Sequence, residues 1–280
     1  MQNYISLELS NQTLRTSYFE AGKKSSPTML FVHGNSSSKE TFLRQIQSFK
    51  SSYHVVAVDL PGHGETEKFQ KADYSLELLS EFLILFVKEL GLEVNTLFGH
   101  SLGGHICLQS INIIKPIYLI TWGSPPLTNP PVMEKIFAPI PCAAYFFRNE
   151  VHDQNLQELY EACYENRTAQ GFIDFSNNFR ETDQSFREGF FSEFTNFNFK
   201  DEFNELEKFE GRTLFLYGLE EKLINKEYLF ENCFEHRIHP IESAGHFTHQ
   251  DNFDDFNIYC LAFITNRKNN INMNINRERN

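Results

Sequence analysis

Little in the chain marks a disulfide-stapled, membrane-spanning or nucleic-acid-binding protein. The cysteines, Cys107, Cys142, Cys163, Cys233 and Cys260, are odd in number, scattered, and form no CxxC or CxxH spacing. A disulfide framework and a zinc cluster are thereby excluded in favour of buried thiols in a reducing compartment. Residues 1–20 contain no basic segment followed by an apolar one, so the expectation is no secretory leader and a cytoplasmic setting. Long hydrophobic runs are missing as well. Phe82 to Val87 is closed off by Glu81 and Lys88, far short of a membrane span, so no stable membrane insertion is expected. Positive charge is scarce: 25 Lys and Arg against 37 Asp and Glu give a net charge of −12. That argues against nucleic acid as a partner, because such binders carry a basic footprint. Phenylalanine is abundant instead, with 29 copies in 280 residues, and a hydrophobic fraction of 41% supplies a sizeable core.

Short apolar runs alternate with amphipathic stretches through the first half. Residues 3–20 read as a β-hairpin about Ser10-Asn11. Strands are expected at Met29–Val32, Val55–Val58, Thr96–Phe98 and Ile117–Thr121. Between the middle strands, Leu76, Leu79, Leu83, Phe86 and Leu90 share one helical face, with Gly91 as a stop. Such alternation implies βαβ units, hence an α/β fold whose mostly parallel central sheet carries helices on both faces. From Pro125 to about residue 205 the alternation lapses. It resumes with a strand at Thr213–Gly218, another near Arg237–Ile241, and a final helix. The expected organisation is a core of residues 1–124 and 206–266, an inserted helical cap over 125–205, and a flexible Asn-rich tail over 267–280.

Chemistry concentrates in Gly99-His100-Ser101-Leu102-Gly103, a G-x-S-x-G run placed where a strand should turn into a helix. A tight turn there leaves no room for side chains two positions either side, and pushes the serine hydroxyl out above the sheet edge. A serine hydroxyl is a poor nucleophile near neutrality and needs a base, usually histidine. His246, in Ser243-Ala244-Gly245-His246, follows the last strand at the carboxyl edge where α/β sites gather. His249 is the rival, read as a cap or supporting polar residue. His100 is expected to face away from the reacting side, and His236 and His239 read as surface residues. The backbone N–H of Leu102, first residue of the following helix, is one donor for a developing oxyanion.

The chain resembles the α/β-hydrolase fold superfamily, in particular its capped lipase- or esterase-like members. The resemblance rests on the Ser101 turn together with His33-Gly34-Asn35, Asp59-Leu60-Pro61-Gly62-His63-Gly64 and Ala244-Gly245-His246-Phe247, in that order and spacing. It implies Ser101 as nucleophile and His246 as base. The N–H of Asn35 becomes the second oxyanion donor, and Ser36 to Ser38 are candidate side-chain donors. The acid is expected after the strand ending at Gly218. Relatives usually carry Gly-x-x-Asp there, whereas this chain reads Gly218-Leu219-Glu220-Glu221, so Glu221 takes the expected place with Glu220 one step off. Relatives that open epoxides or cleave carbon–halogen bonds place aspartate at the turn. Ser101 points instead to an ester, thioester, lactone or amide cleaved through an acyl-enzyme. The same triad also admits acyl transfer, carbon–carbon hydrolysis and perhydrolysis, and the fold admits a silent ligand-binding protein. Asp59, His33 and His63 read as loop braces. No metal or organic cofactor is implied.

The inserted segment is crowded with phenylalanine between Phe146 and Phe199. Most of these rings should fill the cap's own core, while a few line the substrate channel and favour a small apolar substrate. Arg148, Arg167, Arg180 and Arg187 read as solvated charges. An apolar channel under a net negative chain should disfavour anionic acyl groups, so p-nitrophenyl butyrate should be hydrolysed faster than the corresponding succinyl ester. Comparable turnover of the two would contradict this reading.

Overall fold

Thr28–Val32 and His54–Val58 are buried at every position, so the middle of the sheet is covered on both faces. In the computed structural model, which describes residues 1–70, 74–148, 150–233 and 236–266, eight strands form one sheet in the order β1-β2-β4-β3-β5-β6-β7-β8. They are β1 (Gln2–Leu9), β2 (Gln12–Ala21), β3 (Thr28–Val32), β4 (His54–Val58), β5 (Val94–His100), β6 (Tyr118–Trp122), β7 (Arg212–Gly218) and β8 (Arg237–Ile241). β1 and β2 are the expected antiparallel hairpin, and β2 also pairs antiparallel with β4. From β4 through β3 to β8 every neighbouring pair is parallel.

The helices are α1 (Leu43–Phe49), α2 (Leu76–Glu89), α3 (Leu102–Ile114), α4 (Met133–Ile136), α5 (Asp153–Cys163), α6 (Ala169–Glu181), α7 (Gln184–Thr195), α8 (Glu202–Lys208), α9 (Lys226–Asn232), α10 (Thr248–Asp251) and α11 (Phe253–Ile264). Alternate strand residues feed two cores. Leu30, Val32, Val56 and Leu97 pack with α2 and α3, while Met29, Phe31, Val55 and Phe98 pack with α1 and α11 on the other face. Ser75 caps α2 by accepting the N–H of Leu78 at 3.0 Å. Gly91, with φ of 60°, lets the chain leave that helix in the left-handed region.

The segment between β6 and β7 builds a third apolar cluster from Leu156, Leu159, Tyr160, Phe175 and Phe179, closed by Leu223, Ile224 and Phe247 from the sheet domain's loops. α7 sends Phe186 and Phe190 into the sheet's own core, and α8 adds Leu206 there. α8 therefore straddles the expected boundary at residue 206. The final helix is broken at Asn252 into α10 and α11. The tail at 267–280 lies outside the described residues. Among those described, no helix is long and apolar enough to cross a membrane.

The sheet brings the ends of β3, β5, β6, β7 and β8 to one edge. The loops that leave it there carry Asn35, Ser101, Gly123, Glu221 and His246. Residues as far apart in sequence as Asn35 and His246 thus meet at one carboxyl edge, as parallel α/β sheets arrange their sites.

Candidate active site

β5 ends at His100 and α3 begins at Leu102, so the whole strand-to-helix turn falls on Ser101, with φ of 51° and ψ of −121°. A non-glycine residue there costs about 1–3 kcal/mol and persists only when its surroundings enforce it. Here they do. The Ser101 N–H donates to the Trp122 carbonyl at 2.9 Å, and its own carbonyl accepts from the Gly104 N–H at 2.9 Å and the Ser124 hydroxyl at 2.7 Å. The flanking glycines are required by space: a Cβ on Gly99 would lie 2.5 Å from the Gly104 Cα, and one on Gly103 would lie 2.3 Å from the Val32 carbonyl oxygen.

His246 sits in the loop after β8, 3% exposed, with its Nδ1 2.7 Å from Glu221 Oε2. The carboxylate accepts, so Nδ1 carries the hydrogen and Nε2 keeps a lone pair. Burial works to raise the Glu221 pKa. It is outweighed by the electrostatic attraction and hydrogen bond of His246 and by the N–H groups of Leu223 and Ile224, which together hold the carboxyl below its ordinary 4.5. Glu220 turns elsewhere, accepting the Ala244 N–H at 2.8 Å and bracing the loop that carries His246.

His249, His63 and His33 are committed elsewhere. His249 is fully buried; its Nδ1 accepts from Trp122 Nε1 at 3.0 Å and its Nε2 meets the Thr41 hydroxyl at 2.8 Å. Burial, aided by His246, pushes its pKa down to about 3. His63 accepts the Ser36 N–H, and His33 accepts that of Leu60 while its Nδ1 donates to the Gly34 carbonyl. Asp59 accepts from Lys39 Nζ at 2.7 Å and from the Lys39 and Glu65 backbones, which leaves it a brace. The expectation for His100 is corrected. Its ring does not face away but packs 5.0 Å from that of His246, lines the same cavity, and donates from Nε2 to the His246 carbonyl at 3.1 Å. His239 is likewise drawn inward, its ring centroid 3.6 Å from that of Tyr259.

Asn35, Ser101, Leu102 and His246 line one cavity of about 100 Å³. Among the described residues no acceptor takes the backbone N–H of Asn35 or Leu102. The walls are apolar: Leu76, Leu127, Met133, Phe137, Phe146, Phe147, Phe190, Leu223, Ile224 and Phe247. No lysine or arginine lines it among the described residues. Two of the three hydroxyls offered as further donors are otherwise engaged, Ser36 on Asn35 Oδ1 and Ser38 on Asn178 Oδ1. Asn35 Nδ2 reaches the Phe146 carbonyl at 2.9 Å and ties this loop to the inserted segment.

Two further side chains depart from the sequence reading. Arg187 is 1% exposed rather than solvated, donating to the carbonyls of Arg148 and Phe179 and to the Ser36 hydroxyl. The chain cannot signal this, because the acceptors are backbone groups brought near only by folding. His105, which sequence reasoning passes over, also lines the cavity. Its signal is spacing: four residues after Ser101 on α3 is the same helical face.

Comparison with known proteins gives a consistent picture. A sequence model described as the alpha/beta hydrolase family matches residues 29–257. Human epoxide hydrolase 4 is 35% identical over 101 residues, a stretch covering 36% of this chain and only 28% of that protein. Among solved structures, an N-acyl homoserine lactonase superposes with a TM-score of 0.83 at 24% identity, covering 94% of this chain and 98% of the other. An esterase from Exiguobacterium antarcticum gives 0.73 at 18% identity, covering 93% and 98%. At these identities the likeness is one of fold.

The depressed Glu221 pKa sets a pH dependence. The stability that its pairing contributes is present above about pH 4.5 and is lost as pH falls through the depressed folded value. The difference in unfolding free energy between wild type and Glu221→Gln, measured by urea titration, should therefore be full at neutral pH and shrink only below about 4.5. A difference that already vanishes near pH 6 would contradict the assignment.

Proposed function

The chain belongs to the alpha/beta hydrolase family, and from that premise we propose that it is a serine hydrolase cleaving a small, apolar carboxylic ester or lactone through an acyl-enzyme. One observation carries the reading: a buried His246–Glu221 pair at 2.7 Å opens onto the same apolar cavity as Ser101, the residue held at the strained turn.

In this mechanism the Ser101 hydroxyl attacks the substrate carbonyl carbon while His246 Nε2 takes its proton. Glu221 keeps the hydrogen on Nδ1 and stabilises the imidazolium that forms. The oxyanion of the tetrahedral intermediate falls to the N–H groups of Asn35 and Leu102, which have no acceptor among the described residues. Collapse expels the alcohol, protonated by His246, and leaves the acyl group on Ser101. Water then attacks that ester, again giving its proton to His246, and the acid departs with Ser101 restored.

The cavity supports the substrate class. Its walls are mostly aliphatic and aromatic, and among the described residues no lysine or arginine is there to meet a carboxylate. An epoxide-opening reading, prompted by the human relative, is not favoured, because a serine occupies the turn where the resemblance puts aspartate in such enzymes.

Hydrolysis of p-nitrophenyl esters of graded acyl length tests the proposal. Wild type should turn over short esters. Ser101→Ala and Glu221→Gln should each lower kcat by about 10³-fold or more. Undiminished activity in Ser101→Ala would overturn the mechanism, and loss confined to Ser101→Ala would remove Glu221 from it.

A further inference from the structure

The cavity contains a second histidine–carboxylate pair that the proposed mechanism does not use. His105 lies one turn along α3 from Ser101, roughly 6 Å at 1.5 Å per residue, and on the same face. Its Nδ1 stands 3.0 Å and 3.3 Å from the two carboxylate oxygens of Glu202, the first residue of α8. Glu202 is fully buried and also accepts the side-chain amide of Gln109 at 3.1 Å and the backbone N–H of Leu127 at 2.9 Å.

Tying α8 to α3 and to the Leu127 loop is achieved by the Gln109 and Leu127 bonds alone. Neither needs an imidazole. The His105 side chain is 12% exposed, it lines the cavity, and its Nε2 has no partner among the described residues. In the neutral ring, a Glu202 carboxylate accepting from Nδ1–H leaves the lone pair on Nε2, the atom without a partner in a cavity otherwise walled by Leu127, Met133 and Phe190. A polar acceptor held rigidly in an apolar wall discriminates substrates strongly, because an unmatched substrate leaves it buried and unpaired.

Building on the serine-hydrolase reading, we propose that His105, oriented by Glu202, is a specificity residue. It accepts a hydrogen bond from an amide N–H or hydroxyl carried on one arm of the substrate, a few bonds from the scissile carbonyl. The substrate class is then an apolar ester or lactone bearing one neutral hydrogen-bond donor. Glu202 is a positioning residue, acting through the tautomer of His105.

Matched ester pairs test this. p-Nitrophenyl hexanoate and the p-nitrophenyl ester of N-acetyl-β-alanine have acyl arms of equal length and differ by an amide. Pentyl acetate and 2-acetamidoethyl acetate do the same for the alcohol arm. The kcat/KM ratio, amide-bearing over plain, should fall about tenfold on passing from wild type to His105→Leu in one of the pairs. Glu202→Gln should lower the same ratio, because its amide can donate to Nδ1 and move the ring hydrogen to Nε2. A purely structural Glu202 would alter stability and leave the ratio alone. Ratios equal in wild type and both variants, for both pairs, would overturn the proposal.

Calorimetric binding of the four esters to Ser101→Ala separates the two readings. Should wild type hydrolyse nothing, the reaction has been misread. A preference for the amide-bearing ester in Ser101→Ala, lost in the Ser101→Ala/His105→Leu double variant, would still support the recognition role. No such preference would overturn it.

Discussion

The proposed chemistry depends on the conformation of Ser101. With a φ of 51° the backbone turns from β5 into α3 within a single residue, and nothing in serine itself favours that. The conformation is imposed by contacts from three directions. β6 supplies the Trp122 carbonyl, the Ser124 hydroxyl takes the carbonyl of Ser101, and β3 approaches Gly103 so closely that only hydrogen fits. Because these contacts come from neighbouring strands of a parallel sheet, the turn cannot exist before the sheet does. Once it does, the side chain of Ser101 stands at the carboxyl edge beside the N-terminus of α3.

The proposed base, His246, depends on a second set of constraints. His246 lies in a loop, yet it is fixed from below by His100, which donates to its carbonyl, and from the side by Glu221. Glu220 and Asp251 hold the adjoining Ala244 and Gly245 N–H groups. Two adjacent glutamates thus divide the work, one on the imidazole and one on the loop that carries it. On the other side of the cavity, the Asn35–Ser36 loop is bound to the inserted segment through Phe146, Phe179 and Asn178 by way of Asn35, Arg187 and Ser38. The Asn35 N–H, one of the two proposed oxyanion donors, is therefore held by residues of the segment that also supplies Phe146, Phe147 and Phe190 to the cavity wall.

Much of this architecture was legible in the sequence because it is local. Alternating apolar runs place the strands, and the spacing Leu76, Leu79, Leu83 and Phe86 gives α2 its buried face. Gly99 and Gly103 announce a turn that tolerates no side chain. What escaped depends on contacts made only in three dimensions. His100 looks outward by its position on the turn, yet the loop after β8 folds over it. Arg187 reads as solvent-facing until backbone carbonyls of Arg148 and Phe179 surround it. The partner of His105 lies 97 residues away in α8, so the pair has no spacing that a sequence could display.

The central claim is that Ser101, activated by His246, forms a covalent acyl intermediate. Intact-protein mass spectrometry after brief exposure to a short-chain p-nitrophenyl ester or an alkyl fluorophosphonate, with peptide mapping of the adduct, tests it most directly. The account predicts a single adduct on the peptide containing Ser101, absent in Ser101→Ala and formed far more slowly in His246→Ala. Labelling that maps elsewhere, or that proceeds equally well in His246→Ala, would contradict it.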